Sequence, residues 1–317
     1  MTETLSLSDG DSIENVLRRE LSGGDAALGT VVPVLRHLLA SGDSTFFSDE
    51  IIARVRGILH GFAIQLLDAQ EGGEGKEHPV EAVSALVESL AGNPGILGHV
   101  HALALEWHLT ARMQARLGVD PVLTSLVQDL IASPEPEQSA GAMTLLASQA
   151  RFAQAMRRME LPLRELPGDH FHGALLAMRA QAGDDPEADG RAAQAQAKLR
   201  GTYDEATSRL GLLSLLVGAM GGRAHAALSV SHAGLPLFLT ALALGAGQGR
   251  DLVTLATADS RLARLALSLR AAGLKPAAIA EQCLALHPAA VPPEGFDALE
   301  ADQAARILAM AGAGGTV

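Results

Sequence analysis

IIARVRGILHGFAIQL, residues 51–66, places its large apolar side chains three or four positions apart. An α-helix completes a turn every 3.6 residues, so this spacing gathers them on one face. That face comprises Ile51, Ile52, Val55, Ile58, Leu59, Phe62 and Leu66. Mostly small or polar residues occupy the remaining positions, which is typical of a helix with one buried side. The stretch therefore predicts an amphipathic helix packed against a core.

The same spacing recurs along the chain, for example in residues 122–131. Aromatic residues make up only 3% of a chain rich in alanine and leucine, and the sequence has no strand–turn–strand pattern. Gly118, Gly273 and the pair Gly221–Gly222 stand where helices are expected to end. We predict an all-α fold of roughly fourteen to seventeen helical segments, a multi-helix globular bundle with no β-sheet.

A chain of 317 residues can form one large domain or two of ordinary size. Residues 70–78 and 181–190 are rich in glycine and acidic residues, which indicates connecting segments. We expect an N-terminal helical unit (1–70), a linker (71–79), a middle helical region (80–182) and a C-terminal bundle (183–317). The last two are also compatible with one continuous domain.

Residues 210–220 (LGLLSLLVGAM) and 235–244 (LPLFLTALAL) are apolar around the whole helix circumference. An exposed helix would not tolerate this pattern, so we expect both segments at the centre of the C-terminal bundle. Residues 133–152 (SPEPEQSAGAMTLLASQARF) loosely resemble one unit of a HEAT-type helical repeat. HEAT-like helical-repeat character in the middle of the chain is therefore an open alternative.

The net charge of −12 and the absence of a basic patch argue against nucleic-acid binding. Cys283 is the only cysteine, which excludes an internal disulfide and a multi-cysteine metal cage. The first residues have no signal-peptide pattern, and the uncharged run 224–249 is interrupted and too short in its apolar part to span a bilayer. We expect a cytoplasmic protein that does not bind membranes, and the alanine, glycine and arginine content favours a GC-rich bacterial genome.

HVHALALEWH, residues 99–108, carries three histidines and a glutamate within one predicted helix. His99 and His101 point about 200° apart, and His101 and His108 lie about 10 Å apart along the axis. These pairs cannot bind one metal ion, so no metal or cofactor is predicted. The polar residues instead form two borders of a buried stripe. One border contains His99 and Glu106, and the other, an interaction-border candidate, contains His101, His108 and Arg112.

Four further histidines are weak catalytic candidates. His170 and His172 lie in GDHFHG, where Asp169 is placed to cap a helix whose positive end would favour a neutral imidazole. His225 and His232 flank two serines, but no nucleophile elbow surrounds them. The catalytic residues therefore stay unknown.

Three other motifs are better explained by a structural role than by a binding site. Residues 183–189 (GDDPEAD) place carboxylates in a loop, where Asp185 is expected to cap the next helix rather than bind magnesium. Residues 265–282 have the outline of a helix-turn-helix but only one basic residue at its start, which favours a plain helical hairpin. GAGQGR, from Gly245, lacks the context of a phosphate loop.

These observations favour a soluble helical protein-interaction or scaffold module with protein partners. The alternative is a helical enzyme or small-ligand-binding protein, with a pocket between C-terminal helices and chemistry tuned by histidines. A homo-oligomer is left open. The convergence of two histidines with a carboxylate would favour the alternative.

Overall fold

The computed structural model of the protein describes residues 13–41, 49–73, 77–183, 185–258, 262–289 and 299–313. Within these ranges the chain forms fourteen α-helices and three short 3-10 helices, without a strand. The predicted all-α fold is therefore confirmed.

The helices follow one another through short connections. In chain order they are α1 (Ile13–Ser41), α2 (Asp49–Glu71), α3 (Val80–Gly92), α4 (Pro94–Leu117), α5 (Ser125–Ile131), α6 (Pro136–Arg158) and α7 (Gly168–Gln181). The second half contains α8 (Pro186–Thr202), α9 (Arg209–Ala219), α10 (Val230–Ala246), α11 (Arg250–Ala258), α12 (Ala263–Ala271), α13 (Pro276–Leu286) and α14 (Ala301–Ala313). The 3-10 helices are Leu163–Glu165, Glu205–Thr207 and Gly221–Leu228.

The apolar stripe of α2 is buried along its whole length, as its spacing predicts. Residues 122–131 are helical only from Ser125, because Thr124 caps α5 and Asp120 accepts hydrogen bonds from the backbone amides of residues 122 and 123. The connection between α7 and α8 is shorter than predicted, since Asp185 caps a helix that already begins at Pro186.

Among the described residues, the buried apolar side chains form two clusters. The first core is built by α2, α3, α7, most of α4 and the end of α6. The second core is built by α5, α9, α10, α12, α13 and α14, with one or two side chains each from α1, α4, α6 and α11. Helix α4 contributes to both, with Ile96 to Trp107 in the first core and Leu109 and Met113 in the second.

The predicted domain boundaries at residues 71–79 and 183 stay predictions. Within the predicted linker, residues 74–76 lie outside the described part of the chain, while α2 extends to Glu71 and α3 begins at Val80.

The two all-apolar segments differ in burial. Every residue of α10 from Leu235 to Ala243 is buried, as predicted for a central helix, whereas Leu244, the last residue of the predicted segment, is 55% exposed. The sequence places α9 at the centre as well, but Leu215 on its outer side is 59% exposed. The apolar circumference of α9 therefore overstates its burial, and only its inner face joins the second core.

A repeated helix-pair unit is not shown in the described ranges. The HEAT-like stretch consists mainly of one continuous helix, α6. HEAT-like character therefore stays a prediction. The stretch 265–282, by contrast, forms two helices, α12 and α13, joined by a turn at Gly273.

No single helix in the described part of the chain is long and apolar enough to cross a membrane. Two helix pairs reach the required length and apolarity only jointly, across sharp bends. They are Arg209–Ala219 with Gly221–Leu228 (119°) and Val230–Ala246 with Arg250–Ala258 (116°).

Helix α10 depends on a glycine where it bends. Gly234 has φ 74° and ψ 162°, a backbone conformation that is essentially restricted to glycine. A Cβ atom at this position would lie 2.5 Å from Cγ2 of Thr124. The bend therefore requires both the conformational freedom and the small size of glycine.

We predict that Gly234→Ala lowers the free energy of unfolding by about 2–4 kcal/mol, because backbone strain and the contact with Thr124 add together. Gly218→Ala is the matched control, since Gly218 lies within α9 with open space around its Cα. That substitution should leave stability unchanged or raise it by up to about 1 kcal/mol. Urea unfolding measures both, and equal stability of the two variants would contradict the prediction.

Candidate metal centre beside a buried ion-pair network

A charged network lies in the interior of the helical bundle. Glu106 of α4 has no exposed surface, and the side chain of Arg209 is 1% exposed. Arg209 donates two hydrogen bonds to the Glu106 carboxylate, at 2.8 and 3.1 Å. Arg250 at the start of α11 donates a third, at 2.8 Å. One carboxylate thereby joins α4, α9 and α11.

The two arginines outweigh the effect of burial on this carboxylate. Burial raises the pKa of Glu106, but the adjacent guanidinium groups of Arg209 and Arg250 lower it to about 2. Glu106 is therefore ionised at neutral pH although it is enclosed by protein.

The remaining contacts of the two arginines complete the network. The guanidinium of Arg209 lies 3.6 Å from the centre of the Phe152 ring and donates to Gln149 Oε1 at 3.2 Å. Arg250 donates through Nε to the Thr240 hydroxyl at 3.0 Å. Each buried charge therefore has polar or aromatic partners, as stable burial requires.

Beside this network, His99, His170 and Asp251 converge. One possible metal-ligand atom from each of them lies within 4.8 Å of the other two. His99 Nδ1 is 2.9 Å from Asp251 Oδ2, and the two imidazole centres are 5.2 Å apart. The three residues come from α4, α7 and α11, and Asp251 directly follows Arg250 of the ion-pair network.

Small residues allow α7 to approach the start of α4. Asn93 caps α4 by accepting from the backbone amides of Gly95 and Ile96. A Cβ atom at Gly95 would lie 3.0 Å from His170 Cε1, and one at Gly173 would lie 2.9 Å from Asn93 Nδ2. The two glycines therefore permit the close packing that brings His170 to His99.

The start of α7 is also held from its other side. Phe171 stacks on Tyr203 with ring centres 4.1 Å apart, and the Tyr203 hydroxyl donates to the Leu166 carbonyl at 2.9 Å. The backbone amide of Gly168 donates to Glu205 Oε2 at 3.3 Å. Asp169 does not cap α7 as predicted, because the N-cap position is occupied by Pro167.

The pKa shifts of two members of the cluster, His170 and Asp251, favour the forms that bind metal ions. Burial, reinforced by His99, lowers the pKa of His170. Burial alone would raise the pKa of Asp251, but His99 and Arg250 outweigh it and lower that pKa. The cluster therefore favours a neutral imidazole at His170 and an ionised carboxylate, the forms that bind metal ions.

His99 has one nitrogen for which the structure shows no hydrogen bond. The His99 side chain is 1% exposed, and its Nε2 atom is enclosed without a partner in the described part of the chain. The two nitrogens of one imidazole point away from each other, so Nδ1, which faces Asp251, is the atom of His99 that can share an ion with that carboxylate. Two imidazoles and a carboxylate are a donor set that Zn²⁺ and other divalent transition metals accept.

Of the four predicted catalytic candidates, only His170 joins this cluster. His172 is exposed, and its Nδ1 atom lies 2.7 Å from Arg200 Nη2. His225 lines a separate surface recess of about 470 Å³ near Gly273. His232 Nε2 lies 3.5 Å from a carboxylate oxygen of Asp129.

The predicted interaction border is only partly accessible. His101 is 3% exposed, and burial lowers its pKa to about 4. His108 is half-buried, with Nδ1 3.6 Å from Glu50 Oε2, whereas Arg112 is exposed. His108 and Arg112 therefore remain as surface candidates, while His101 lies in the interior.

Sequence reasoning missed His99 and Asp251 as members of one cluster. It placed His99 and Glu106 on the same border of α4, and that border is the one that the structure buries against charged partners. No sequence pattern marks Asp251 as a site residue, because an acidic residue in the first turn of a helix is an ordinary feature.

We predict that Glu106→Gln lowers the free energy of unfolding by about 3–5 kcal/mol, since it leaves two guanidinium groups without their buried counter-charge. Glu135→Gln is the control, because the Glu135–Arg223 pair is solvent-exposed and should contribute less than about 1 kcal/mol. Chemical unfolding of both variants tests this. A loss for Glu106→Gln no larger than that of the control would refute it.

The lowered pKa of Glu106 predicts that part of the free energy of unfolding is lost in acid. The pKa of Glu106 falls from its ordinary 4.5 to about 2 on folding, so the unfolded chain binds the proton more readily. Its stabilising contribution is complete above about pH 5 and is lost as the pH falls towards 2. The stability difference between wild type and Glu106→Gln should therefore shrink over this range. A difference that stays constant with pH would contradict the assignment.

In comparisons with protein-family models, with curated proteins and with solved structures, no match to this chain was found. Its function is therefore inferred from its own residues.

Proposed function

We propose that this protein binds a divalent transition-metal ion, with Zn²⁺ as the best fit, through His99, His170 and Asp251. The observation that carries the proposal is the convergence of these three side chains from three helices. Zinc sites in proteins use histidine nitrogen and carboxylate oxygen at about 2.0–2.2 Å. The 2.9 Å approach of His99 Nδ1 to Asp251 Oδ2 adds support, because the two atoms lie close enough to contact one ion.

The surroundings of Asp251 support this assignment. Outer contacts that fix metal ligands contribute to metal affinity. Arg250 adjoins Asp251 in sequence and is anchored to Glu106, so the first turn of α11 is tied to α4 beside the cluster. His99 lies on the same helix as Glu106. The ion-pair network therefore holds two of the three proposed ligands in a fixed relative position.

The proposal agrees with the second of the two functions that the sequence suggests, a ligand-binding helical protein with histidine chemistry. Three protein ligands leave a coordination position for water or a substrate, an arrangement that catalytic zinc sites use. The proposal is therefore compatible with a helical enzyme. The location differs from the predicted one, since the cluster lies between α4, α7 and α11.

A protein-interaction role is our second proposal. It is supported by large apolar side chains that are more than half exposed, which are Val80, Met143, Leu176, Leu215, Leu244, Leu284 and Met310. Such side chains support association with partners or with a second copy of the chain where they form contiguous patches.

We predict that the purified full-length protein binds one Zn²⁺ per chain in isothermal titration calorimetry. His170→Ala and Asp251→Ala should each weaken binding by more than the about 10–100-fold that loss of an outer contact typically costs. His172→Ala is the matched control, because His172 lies on the same helix but is exposed and pairs with Arg200.

The control variant should bind Zn²⁺ with wild-type affinity. Absence of binding by the wild type, or equal weakening by His172→Ala and His170→Ala, would overturn the proposed function. Circular dichroism of each variant separates a lost ligand from a lost fold.

A further inference from the structure

The three proposed ligands are distributed over both cores, and any coupling of the cores through these ligands rests on the proposed metal site. His170 is carried by α7, which buries Phe171 and Leu175 in the first core. Asp251 is carried by α11, which places Val253 in the second core. His99 lies on α4, the helix that contributes to both cores.

The junction between the cores is crossed by the charged network. On α4, Glu106 lies close to the point where the helix changes from the first core to the second. On α6, Gln149 lies between Leu145 of the second core and Phe152 of the first. Arg209 of α9 contacts both helices at this junction, through its bonds to Glu106 and Gln149 and its stacking on Phe152.

Helices α7 and α11 meet at the proposed site. Among the described residues, α11 packs extensively against α4, α10 and α12, whereas α7 packs against α2, α3, α4 and α8. Helices α7 and α11 do not pack extensively against each other. The approach of His170 to the His99–Asp251 pair is therefore a principal link between these two helices.

We infer that the metal ion regulates the coupling of the two cores: it binds α7 of the first core to α11 of the second, so that both open together. Without the ion, each helix unfolds locally with its own core, because proteins unfold in cooperative units rather than uniformly. With the ion, an opening that separates His170 from Asp251 must first break metal–ligand bonds. Metal binding then changes the local stability of helices in both cores together.

The test is hydrogen–deuterium exchange of the full chain with and without Zn²⁺, after calorimetry has measured the affinity. At free Zn²⁺ of 100 times Kd, amides of α7 and α11 that exchange through site-breaking openings should exchange up to about 100-fold more slowly. Both helices should be slowed by similar factors. His172→Ala, the control, should reproduce this result.

The outcomes distinguish the inference from the function on which it rests. If Zn²⁺ binds but slows exchange in only one of α7 and α11, the ion does not couple the cores, while the metal site stands. If calorimetry shows no binding, both the site and the coupling are overturned. In Asp251→Ala, α11 should lose its zinc-dependent slowing, and full slowing of α11 in this variant would also refute the coupling.

Discussion

The buried carboxylate of Glu106, shared by Arg209 and Arg250, is the interaction on which the rest of the structure depends. A charge in the interior is stable only when its partners are in place, so this carboxylate fixes the relative positions of α4, α9 and α11. An apolar contact would tolerate small shifts between helices, whereas these hydrogen bonds require defined distances and angles. The network therefore specifies how the helices meet.

This constraint positions the candidate metal centre. Arg250 anchors the start of α11 to α4, and the next residue, Asp251, thereby meets His99 of the same helix α4. The third group, His170, lies on a helix held by the close contact at Gly95 and by the stacking of its neighbour Phe171 on a tyrosine. A structural ion-pair network and a cluster of candidate metal ligands thus form one continuous polar region at the junction of two apolar cores.

The sequence predicts much of the fold and little of this region. The burial of α2 follows from the periodicity of its apolar stripe, and that of α10 follows from its apolar circumference, because each pattern is a property of one helix. The exposure of Leu215 shows where that reasoning fails, since apolar residues on a short helix do not reveal which neighbours cover it.

The candidate site shows the same limit. His99 and Asp251 are 152 positions apart, and their meeting depends on tertiary packing that local patterns do not encode. The helix start around His170 marks that residue as a candidate from the sequence alone. The helical geometry of HVHALALEWH correctly separates His99 from His101, but it cannot supply partners from other helices.

The central claim is that His99, His170 and Asp251 bind one metal ion, and anomalous scattering at the zinc edge from zinc-containing crystals of the full-length protein tests it most directly. The account predicts a single strong peak at about 2.0–2.2 Å from one nitrogen of each histidine and one carboxylate oxygen of Asp251. Well-diffracting crystals with no peak between these three residues, or with zinc bound only elsewhere, would contradict it.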